Sequence, residues 1–398
     1  MLNRQRLLTP GPTPMPEEVR LAMAADMIHH RKAAFREVMT EVRAGLGELF
    51  GTSMPVLPLG ASGTGAMVAA VCALFAPGEK VLVVEGGVFG ERWTQICRTH
   101  KIVPLPIRVK WGEAVSVEDV ETALDKDAEI RGVLTQHSET STGALHPVRE
   151  LAALTRRRNV LSVVDGISAV SVVPCPMDAW GIDCLLTGSQ KGLMLPPGLS
   201  FIALSERAWE KAERVPPGNY YFNLLKEREA SGNAQTNFTS PVSLILGLRE
   251  SLRLLLSFGL DNIYRKQWAL AQMARTGISA LGLELFARDA FAWGLTSVLL
   301  PDGMDAARLL AVAAERCGVV MAAGQGGTFK SRIVRIGHMG YVDYADLAAG
   351  LHAFVRSFEA CGGYLGCRNY LEQALDAYWR ALDEGVPETM KIQPRSVL

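Results

Sequence analysis

Between residues 80 and 205 the chain alternates short apolar runs with segments of helical periodicity. Amphipathic segments such as VSVEDVETALDK and HPVRELAALTRR separate several of the runs. Apolar strands that alternate with helices predict an α/β fold around a mostly parallel sheet buried on both faces. Functional residues are then expected at the carboxyl ends of the strands. The apolar runs are KVLVVE (80–85), RGVLTQH (131–137), NVLSVVD (159–165), CLLTG (184–188) and LSFIALS (199–205).

The pattern changes near residue 262, where a long helical segment, YRKQWALAQMARTGISALG, begins. Strand-like runs (GLTSVLLP, SRIVRIG) and further helices follow, as in a smaller α+β domain. With 398 residues the chain is long enough for two domains. We predict an N-terminal arm (1–20), a large domain (21–261), a small C-terminal domain (262–358) and a helical extension (359–398).

Composition narrows the classes of function. The 41 basic side chains balance 41 acidic ones, so the chain offers no single-sign field for nucleic acid or an anionic membrane. No signal peptide and no membrane-length apolar segment stand out, so we expect a soluble, cytoplasmic protein. The seven cysteines lack CxxC spacing, so neither a disulfide framework nor a metal site is expected. A small-molecule enzyme fits these properties.

Three motifs gain meaning together. VVDGISA ends a strand at Asp165, GSQKGLMLPPG places Lys191 after the next strand, and ASGTG (61–65) opens a helix. A carboxylate and a lysine from neighbouring strand ends, facing a glycine-rich helix start, suit an aromatic cofactor that carries a phosphate. This combination points to pyridoxal 5'-phosphate.

Each part has its own physical reason. A lysine reacts with the cofactor aldehyde only as a free amine, and the apolar LMLPPG surroundings disfavour its charged form. An aspartate beside the pyridine nitrogen keeps that nitrogen protonated, and the backbone N–H groups of residues 62–65 suit a phosphate. Taken singly, each motif has an ordinary explanation: a turn aspartate, a tight glycine turn and a solvated lysine.

Further motifs extend the pattern from LLTPGPTPMP (7–16) through GVFGERW, HSETSTG, NFTSPVSL and LRESL to VRIGHMG (334–340). With them the chain resembles the class V pyridoxal-phosphate aminotransferases of fold type I, and most closely the alanine–glyoxylate/serine–pyruvate branch. The resemblance covers about residues 5–358. It implies a mostly parallel seven-stranded sheet between helices, a smaller α+β domain, and a homodimer with active sites at the subunit interface.

The resemblance also implies roles for single residues. Lys191 is similar to the Schiff-base lysine that also acts as the catalytic acid and base, Asp165 to the partner of the pyridine nitrogen, and Phe89 to the aromatic that stacks on the ring. Phe89 could instead be a core aromatic, and Thr140 could belong to a simple polar turn. The other implied cofactor contacts are Ser62, Gly63, Thr64, Thr140 and Gln190.

Two more segments acquire roles in the same way. Asn237 and Thr239 resemble residues that reach the neighbouring subunit's phosphate, although Thr236 stands where animal enzymes carry a tyrosine. Arg335 resembles the group that binds the substrate α-carboxylate through its planar fork, unless it is a structural salt-bridge arginine. Gly11, followed by Pro12, resembles the segment that closes over the substrate, where backbone approaches ligand.

The predicted reaction is transamination in two half-reactions, from serine or alanine to glyoxylate or pyruvate. Only Arg335 falls at a recognised carboxylate position, which favours a small donor. The pair His30–Arg31 matches one near the active site of bacterial relatives, or forms a solvated face, and His338 has no assigned role. If Arg31 reaches the partner's site, aspartate becomes a credible donor.

Several alternatives stay open. Ureidoglycine, 2-aminoethylphosphonate or pyridoxamine could replace the donor, and the chain could be a cofactor-binding subunit without turnover. A cysteine desulfurase is disfavoured because no cysteine lies in a suitable loop context. A dinucleotide oxidoreductase is disfavoured because ASGTG lacks GxGxxG spacing.

Overall fold

The computed structural model describes residues 4–327 and 329–387. The predicted limits of the arm and of the extension reach into 1–3 and 388–398, outside the described residues. The strands are β1 (Arg6–Leu7), β2 (Val56–Leu59), β3 (Lys80–Glu85), β4 (Val103–Arg108), β5 (Ile130–Gln136), β6 (Ser138–Glu139), β7 (Ala144–Leu145), β8 (Leu161–Asp165), β9 (Cys184–Gly188), β10 (Ser200–Leu204), β11 (Glu284–Leu285), β12 (Leu295–Leu299), β13 (Val319–Val320), β14 (Ala322–Ala323) and β15 (Ile333–Gly337).

The helices cover most of the sequence between the strands. None of those in the described ranges is long and apolar enough to cross a bilayer. They are α1 (Glu17–Met23), α2 (Ala33–Phe50), α3 (Gly63–Leu74), α4 (Val88–Thr99), α5 (Val117–Lys126), α6 (Val148–Arg157), α7 (Met177–Trp180), α8 (Glu206–Arg214), α9 (Leu224–Gly232), α10 (Val242–Phe258), α11 (Leu260–Ala280), α12 (Ala306–Cys317), α13 (Phe329–Arg332), α14 (Tyr344–Ala360) and α15 (Tyr370–Glu384).

A seven-stranded sheet forms the centre of the larger part of the chain. Its strand order is β2-β10-β9-β8-β5-β3-β4, and only β10 runs antiparallel to its neighbours. Every residue of β8 and β9 is buried, as expected for strands covered by helices on both faces. The predicted α/β fold with a mostly parallel seven-stranded sheet is therefore confirmed.

The edge strand β4 was not predicted from the sequence. It contains Pro104 and Pro106 and pairs with β3 alone. Proline cannot donate to a sheet ladder, so it is tolerated where one side of a strand has no partner.

The sheet brings the predicted site motifs to one edge. β8 and β9 are parallel neighbours with Asp165 opposite Leu186, so Lys191 follows the end of β9 beside the end of β8. Helix α3 begins at Gly63 close to the turn after β8, where a Cβ on Gly63 would collide with Cδ1 of Ile167. Glycine at this position lets the start of α3 approach the turn that follows Asp165.

A second, four-stranded antiparallel sheet has the order β11-β12-β15-β14. The N-terminal arm is attached beside it, because β1 pairs with β13 and Leu8 O accepts from Gly337 N at 2.7 Å. Helix α15 packs against α11. The division into domains at 261/262 and 358/359 stays a prediction.

Asp183 connects three elements below the site. Its buried carboxylate accepts from Ser162 N (3.0 Å) and from Ser205 Oγ (2.9 Å), and Ser205 is the N-cap of α8. The two hydrogen bonds tie the region before β9 to β8 and to the helix that follows β10. This carboxylate therefore fixes the strands that carry Asp165 and Lys191.

We expect Asp183→Ala to lower the free energy of unfolding by about 2–3 kcal/mol, because it leaves buried donors without an acceptor. Urea unfolding followed by circular dichroism measures the change. Asp302→Ala is the control, since that carboxylate is almost fully exposed and pairs only with Arg332 at the surface; its effect should be close to zero. Equal unfolding midpoints for the two variants would contradict the assignment.

Candidate active site

Lys191 is a buried lysine held by the N-terminal arm. Its Nζ donates to Pro10 O, and Lys191 O accepts from Thr13 Oγ1 at 2.9 Å. Burial lowers the pKa of Lys191 to about 8; the positive charge of Arg335 contributes, and Asp165 opposes the shift. The alternative of a solvated lysine is wrong, and the amine is more readily neutral than an ordinary one.

Asp165 ends β8 as a buried acid. Its Oδ1 accepts from Ile167 N at 2.8 Å, so the side chain also shapes the turn after the strand. Burial raises the pKa of Asp165 to about 7, and the carboxylate of Glu139 acts in the same direction. Asp165 and Lys191 are thus two buried ionisable groups on neighbouring strand units, and each charge favours the charged form of the other.

The arm covers the lysine with backbone rather than with a side chain. Gly11 has φ +136°, and a Cβ there would lie 2.5 Å from Lys191 Nζ. Only glycine combines this conformation with this close approach.

The predicted phosphate contacts gather at the start of α3. Ser62 is the N-cap, and Gly63 and Thr64 form the first turn, whose N–H groups have no partner within the helix. Nearby, Oε1 of Gln190 is buried and has no hydrogen-bond partner among the described residues. Arg92, which was not predicted as a site residue, donates from Nη1 to Thr64 Oγ1 at 3.0 Å.

Phe89 lies at the start of α4 and is half-buried. The guanidinium of Arg92 lies 4.7 Å from the centroid of its ring. Phe89 belongs to none of the hydrophobic clusters found among the described residues, so the core-aromatic alternative is wrong. One turn of helix therefore presents a ring and a cation on the same side.

Arg335 lies in β15 and is buried. Its Nε donates to Ala323 O (2.8 Å) and its Nη1 to Thr140 O (2.7 Å). Within the described ranges it has no carboxylate within 4 Å, so the salt-bridge alternative is wrong. Burial lowers the pKa of Arg335 to about 10, and Glu139 opposes that shift.

Thr140 lies in the β6–β7 hairpin and is buried. Its carbonyl holds Arg335, so this stretch is more than a solvated polar turn. Thr140 was predicted from HSETSTG, but its neighbour Glu139, the only acid of that motif, was not. The signal was present, because an isolated acid between a strand and a small-residue turn commonly binds backbone amides.

Asn237 and Thr239 lie on a different segment, and no described contact joins them to Lys191. Asn237 N donates to Glu227 Oε2 at 3.0 Å. Arg31 donates to Gln235 Oε1 and to the carbonyl oxygens of residues 236–238. Arg31 thus forms hydrogen bonds within its own chain, whereas the alternative of a solvated face predicted a side chain bonded to water.

The remaining candidates are simpler. His338 is fully buried and pairs with Thr296 Oγ1 at 3.0 Å through Nε2, and burial lowers its pKa to about 3. It is a neutral core histidine. Within residues 4–327 and 329–387 no cluster of three His, Cys, Asp or Glu side chains could hold a metal ion.

Comparisons with known proteins place this arrangement in a family. The model of the family "Aminotransferase class-V" matches residues 10–346. The chain is 34% identical to the "Soluble hydrogenase, small subunit" of Synechococcus sp. (strain PCC 6716), covering 93% of this chain and 96% of that protein. It is 32% identical to the L-aspartate–glyoxylate aminotransferase of Paracoccus denitrificans (88% and 90%) and 31% identical to the serine–glyoxylate aminotransferase of Methylorubrum extorquens (87% and 89%).

Solved structures agree. The ureidoglycine–glyoxylate aminotransferase of Bacillus subtilis superposes with a TM-score of 0.89 at 26% identity, covering 95% of this chain and 99% of that one. An aspartate aminotransferase of subgroup IV from Thermus thermophilus superposes with a TM-score of 0.82 at 34% identity, covering 89% and 99%. With a family match over residues 10–346 and relatives aligned along nearly the whole length, the chain belongs to the class V aminotransferase family of transaminases.

Proposed function

We propose that this chain binds pyridoxal 5'-phosphate and transfers an amino group from serine or alanine to glyoxylate or pyruvate. The observation that carries the proposal is that a buried carboxyl, Asp165, ends β8 while a buried amine, Lys191, follows the end of the adjacent parallel strand β9. Both groups are kept from water, and neither has an ion-pair partner within 4 Å in the described ranges. When bound, the cofactor draws electrons from the substrate α-carbon and carries the amino group between the half-reactions.

The donor set fits the two ends of such a cofactor. Asp165 would serve the pyridine nitrogen, and the first-turn amides of α3, together with Thr64, would hold the phosphate. The amide of Gln190, whose buried oxygen lacks a partner, supplies a further polar contact. Phe89 would cover one face of the ring.

Lys191 acts at two moments. Its Nζ would hold the cofactor, and the same amine would move a proton at the substrate α-carbon. The lowered pKa of this amine makes it a suitable base near neutral pH. Pro10 and Gly11 keep the amine covered, so that water has little access to it.

Arg335 binds the α-carboxylate of the amino or oxo acid. Its two hydrogen bonds to carbonyl oxygens hold the guanidinium plane but use only part of the five N–H donors. The remaining donors suit a planar carboxylate. Buried among neutral partners, the cation attracts an anion more strongly than it would at the surface.

Arg335 is the arginine that the proposed site uses for the α-carboxylate of a small donor. Arg31 binds the segment 235–238 of its own chain, and a role for it beside a second carboxylate in the partner's site would favour aspartate as the donor. The acceptor glyoxylate is favoured by the names of three relatives, which act with aspartate, serine or ureidoglycine. Aspartate, ureidoglycine, pyridoxamine and 2-aminoethylphosphonate are the alternative donors.

We infer a homodimer in which the partner's Asn237 and Thr239 complete the phosphate site. The exposure of Thr239 and the anchoring of Asn237 by Glu227 support a segment that is held ready for an outside contact. The name of the Synechococcus relative favours a second candidate, a subunit of a larger assembly that binds cofactor without turnover.

A half-reaction screen tests the proposal. The purified holoenzyme is mixed with each of the twenty amino acids, pyridoxamine or 2-aminoethylphosphonate, and the visible absorbance of the cofactor is followed. Serine or alanine should abolish the band, and glyoxylate or pyruvate should restore it; Lys191→Ala should not respond. A wild-type protein that binds the cofactor but responds to no amine would favour the second candidate.

The pH dependence of cofactor capture tests the lowered pKa of Lys191. Only the neutral amine reacts, so the rate for the apoprotein should rise about tenfold per pH unit below pH 8 and level off above it. Stopped-flow absorbance measures the rate. Arg335→Gln removes a cation that lowers the pKa of Lys191, so its midpoint should move upward. A wild-type midpoint near 10, as for Nα-acetyllysine, would contradict the prediction.

Gly11→Ala tests the cover over the lysine. The added methyl group must displace the arm or the amine, so kcat/KM should fall by about 10- to 100-fold. Gly78→Ala is the matched control, because Gly78 also has positive φ (+90°) but has no atom within 4 Å of the position that a Cβ would take. The control should lose some thermal stability and keep its kcat/KM; equal losses of activity would show that backbone strain alone is responsible.

A further inference from the structure

Glu139 is a buried carboxylate whose two oxygens serve two different segments. Oε2 accepts from Phe89 N (3.1 Å) and Gly90 N (3.0 Å), at the start of α4. Oε1 accepts from Ser141 N (3.0 Å) and Ser141 Oγ (2.6 Å), within its own hairpin. Ser141 Oγ in turn accepts from Val88 N at 3.0 Å.

These contacts require a carboxylate. Four donors point at two oxygens, and an ionised acid is the side chain that accepts on both without presenting a donor. Burial raises the pKa of Glu139 above its ordinary value, and the hydrogen bonds from Ser141, Gly90 and Phe89 oppose that shift. The N-terminus of α4 supplies amides and a dipole that favour the carboxylate. Gly87 leaves room for the arrangement, since a Cβ there would lie 2.6 Å from Glu139 Cδ.

The same hairpin also holds the substrate arginine. Thr140, the next residue, accepts from Arg335 Nη1 at 2.7 Å. Glu139 therefore fixes one end of a short connection that runs from the backbone of Phe89, through residues 139 and 140, to the guanidinium of Arg335. The charge of Glu139 also reaches Arg335 and Asp165, as its effects on their pKa values indicate.

We propose that Glu139 is a positioning residue that sets the placement of the Phe89 ring relative to the Arg335 guanidinium. This inference rests on the proposed function, in which Phe89 covers the cofactor ring and Arg335 binds the substrate carboxylate. The placement of the guanidinium relative to the ring decides how tightly the carboxylate of the amino donor is bound. Glu139 acts through both groups and touches neither cofactor nor substrate.

Glu139→Gln tests the inference with little change of shape. The amide nitrogen cannot accept, so the bonds to α4 or those to Ser141 are lost. We expect KM for the amino donor to rise about tenfold, the loss of charge-assisted hydrogen bonds, with kcat changed by less than about threefold. The visible circular dichroism of the bound cofactor should also change, because the ring contact moves.

Glu85→Gln is the matched control. Glu85 ends β3 and accepts from Thr94 Oγ1 at 2.5 Å. Thr94 lies in α4, the helix whose first residues contact Glu139, but Glu85 has no described contact with the β6–β7 hairpin. It should leave KM and the dichroism unchanged. Should Glu139→Gln fail to fold, Ser141→Ala keeps the carboxylate but removes one acceptor of Val88 N, and it should raise KM in the same direction to a smaller extent.

Hydrogen exchange of the protein as purified provides a readout independent of turnover. Glu139→Gln should speed exchange at Phe89 and Gly90 and in the strand Ile333–Gly337, whereas Glu85→Gln should leave that strand unchanged. The inference is overturned if Glu139→Gln behaves like the control in KM and dichroism, or if faster exchange stays confined to α4. A wild-type protein that binds no pyridoxal 5'-phosphate would contradict the proposed function. The exchange result would still show whether Glu139 connects the start of α4 to the strand that carries Arg335.

Discussion

The site depends on keeping two ionisable groups out of water at the ends of adjacent parallel strands. Burial lowers the pKa of the Lys191 amine and raises that of the Asp165 carboxyl. Both pKa values therefore lie closer to neutral pH than they would in solvent. A sheet covered by helices on both faces makes this possible, because its strand ends open into a space that side chains and backbone can enclose. The sheet places Asp165 and Lys191; the arm then covers the Lys191 amine, and the charge of Arg335 lowers its pKa further.

The strand pattern and the family motifs predicted the sheet and the positions of Lys191 and Asp165, because apolar strands and their polar ends leave a local record in the sequence. Strand β4 escaped prediction because Pro104 and Pro106 normally argue against a strand, and only its position at the edge permits them. The contacts of Arg31 also escaped, since they join segments about 200 residues apart. No local pattern encodes such a pairing.

Glu139 shows a second kind of contact that could not be predicted from the sequence. Its motif was recognisable, but the prediction fell on the hydroxyl residue beside it, because a buried carboxylate reads from sequence as an exposed polar residue. What distinguishes it is the set of backbone amides that converge on it from α4, and backbone amides carry no sequence signal. Thr140 likewise contributes to the described geometry through its carbonyl rather than through its hydroxyl.

Residues 6–11 connect the four-stranded sheet to the backbone that covers Lys191. Leu8 is hydrogen-bonded to Val320 on one side and to Gly337 on the other, and three residues later the backbone lies against Lys191. The backbone that covers the Lys191 amine is therefore fastened to the strand that carries Arg335. A substitution that weakens this fastening alters the surroundings of two side chains that lie far apart in the sequence.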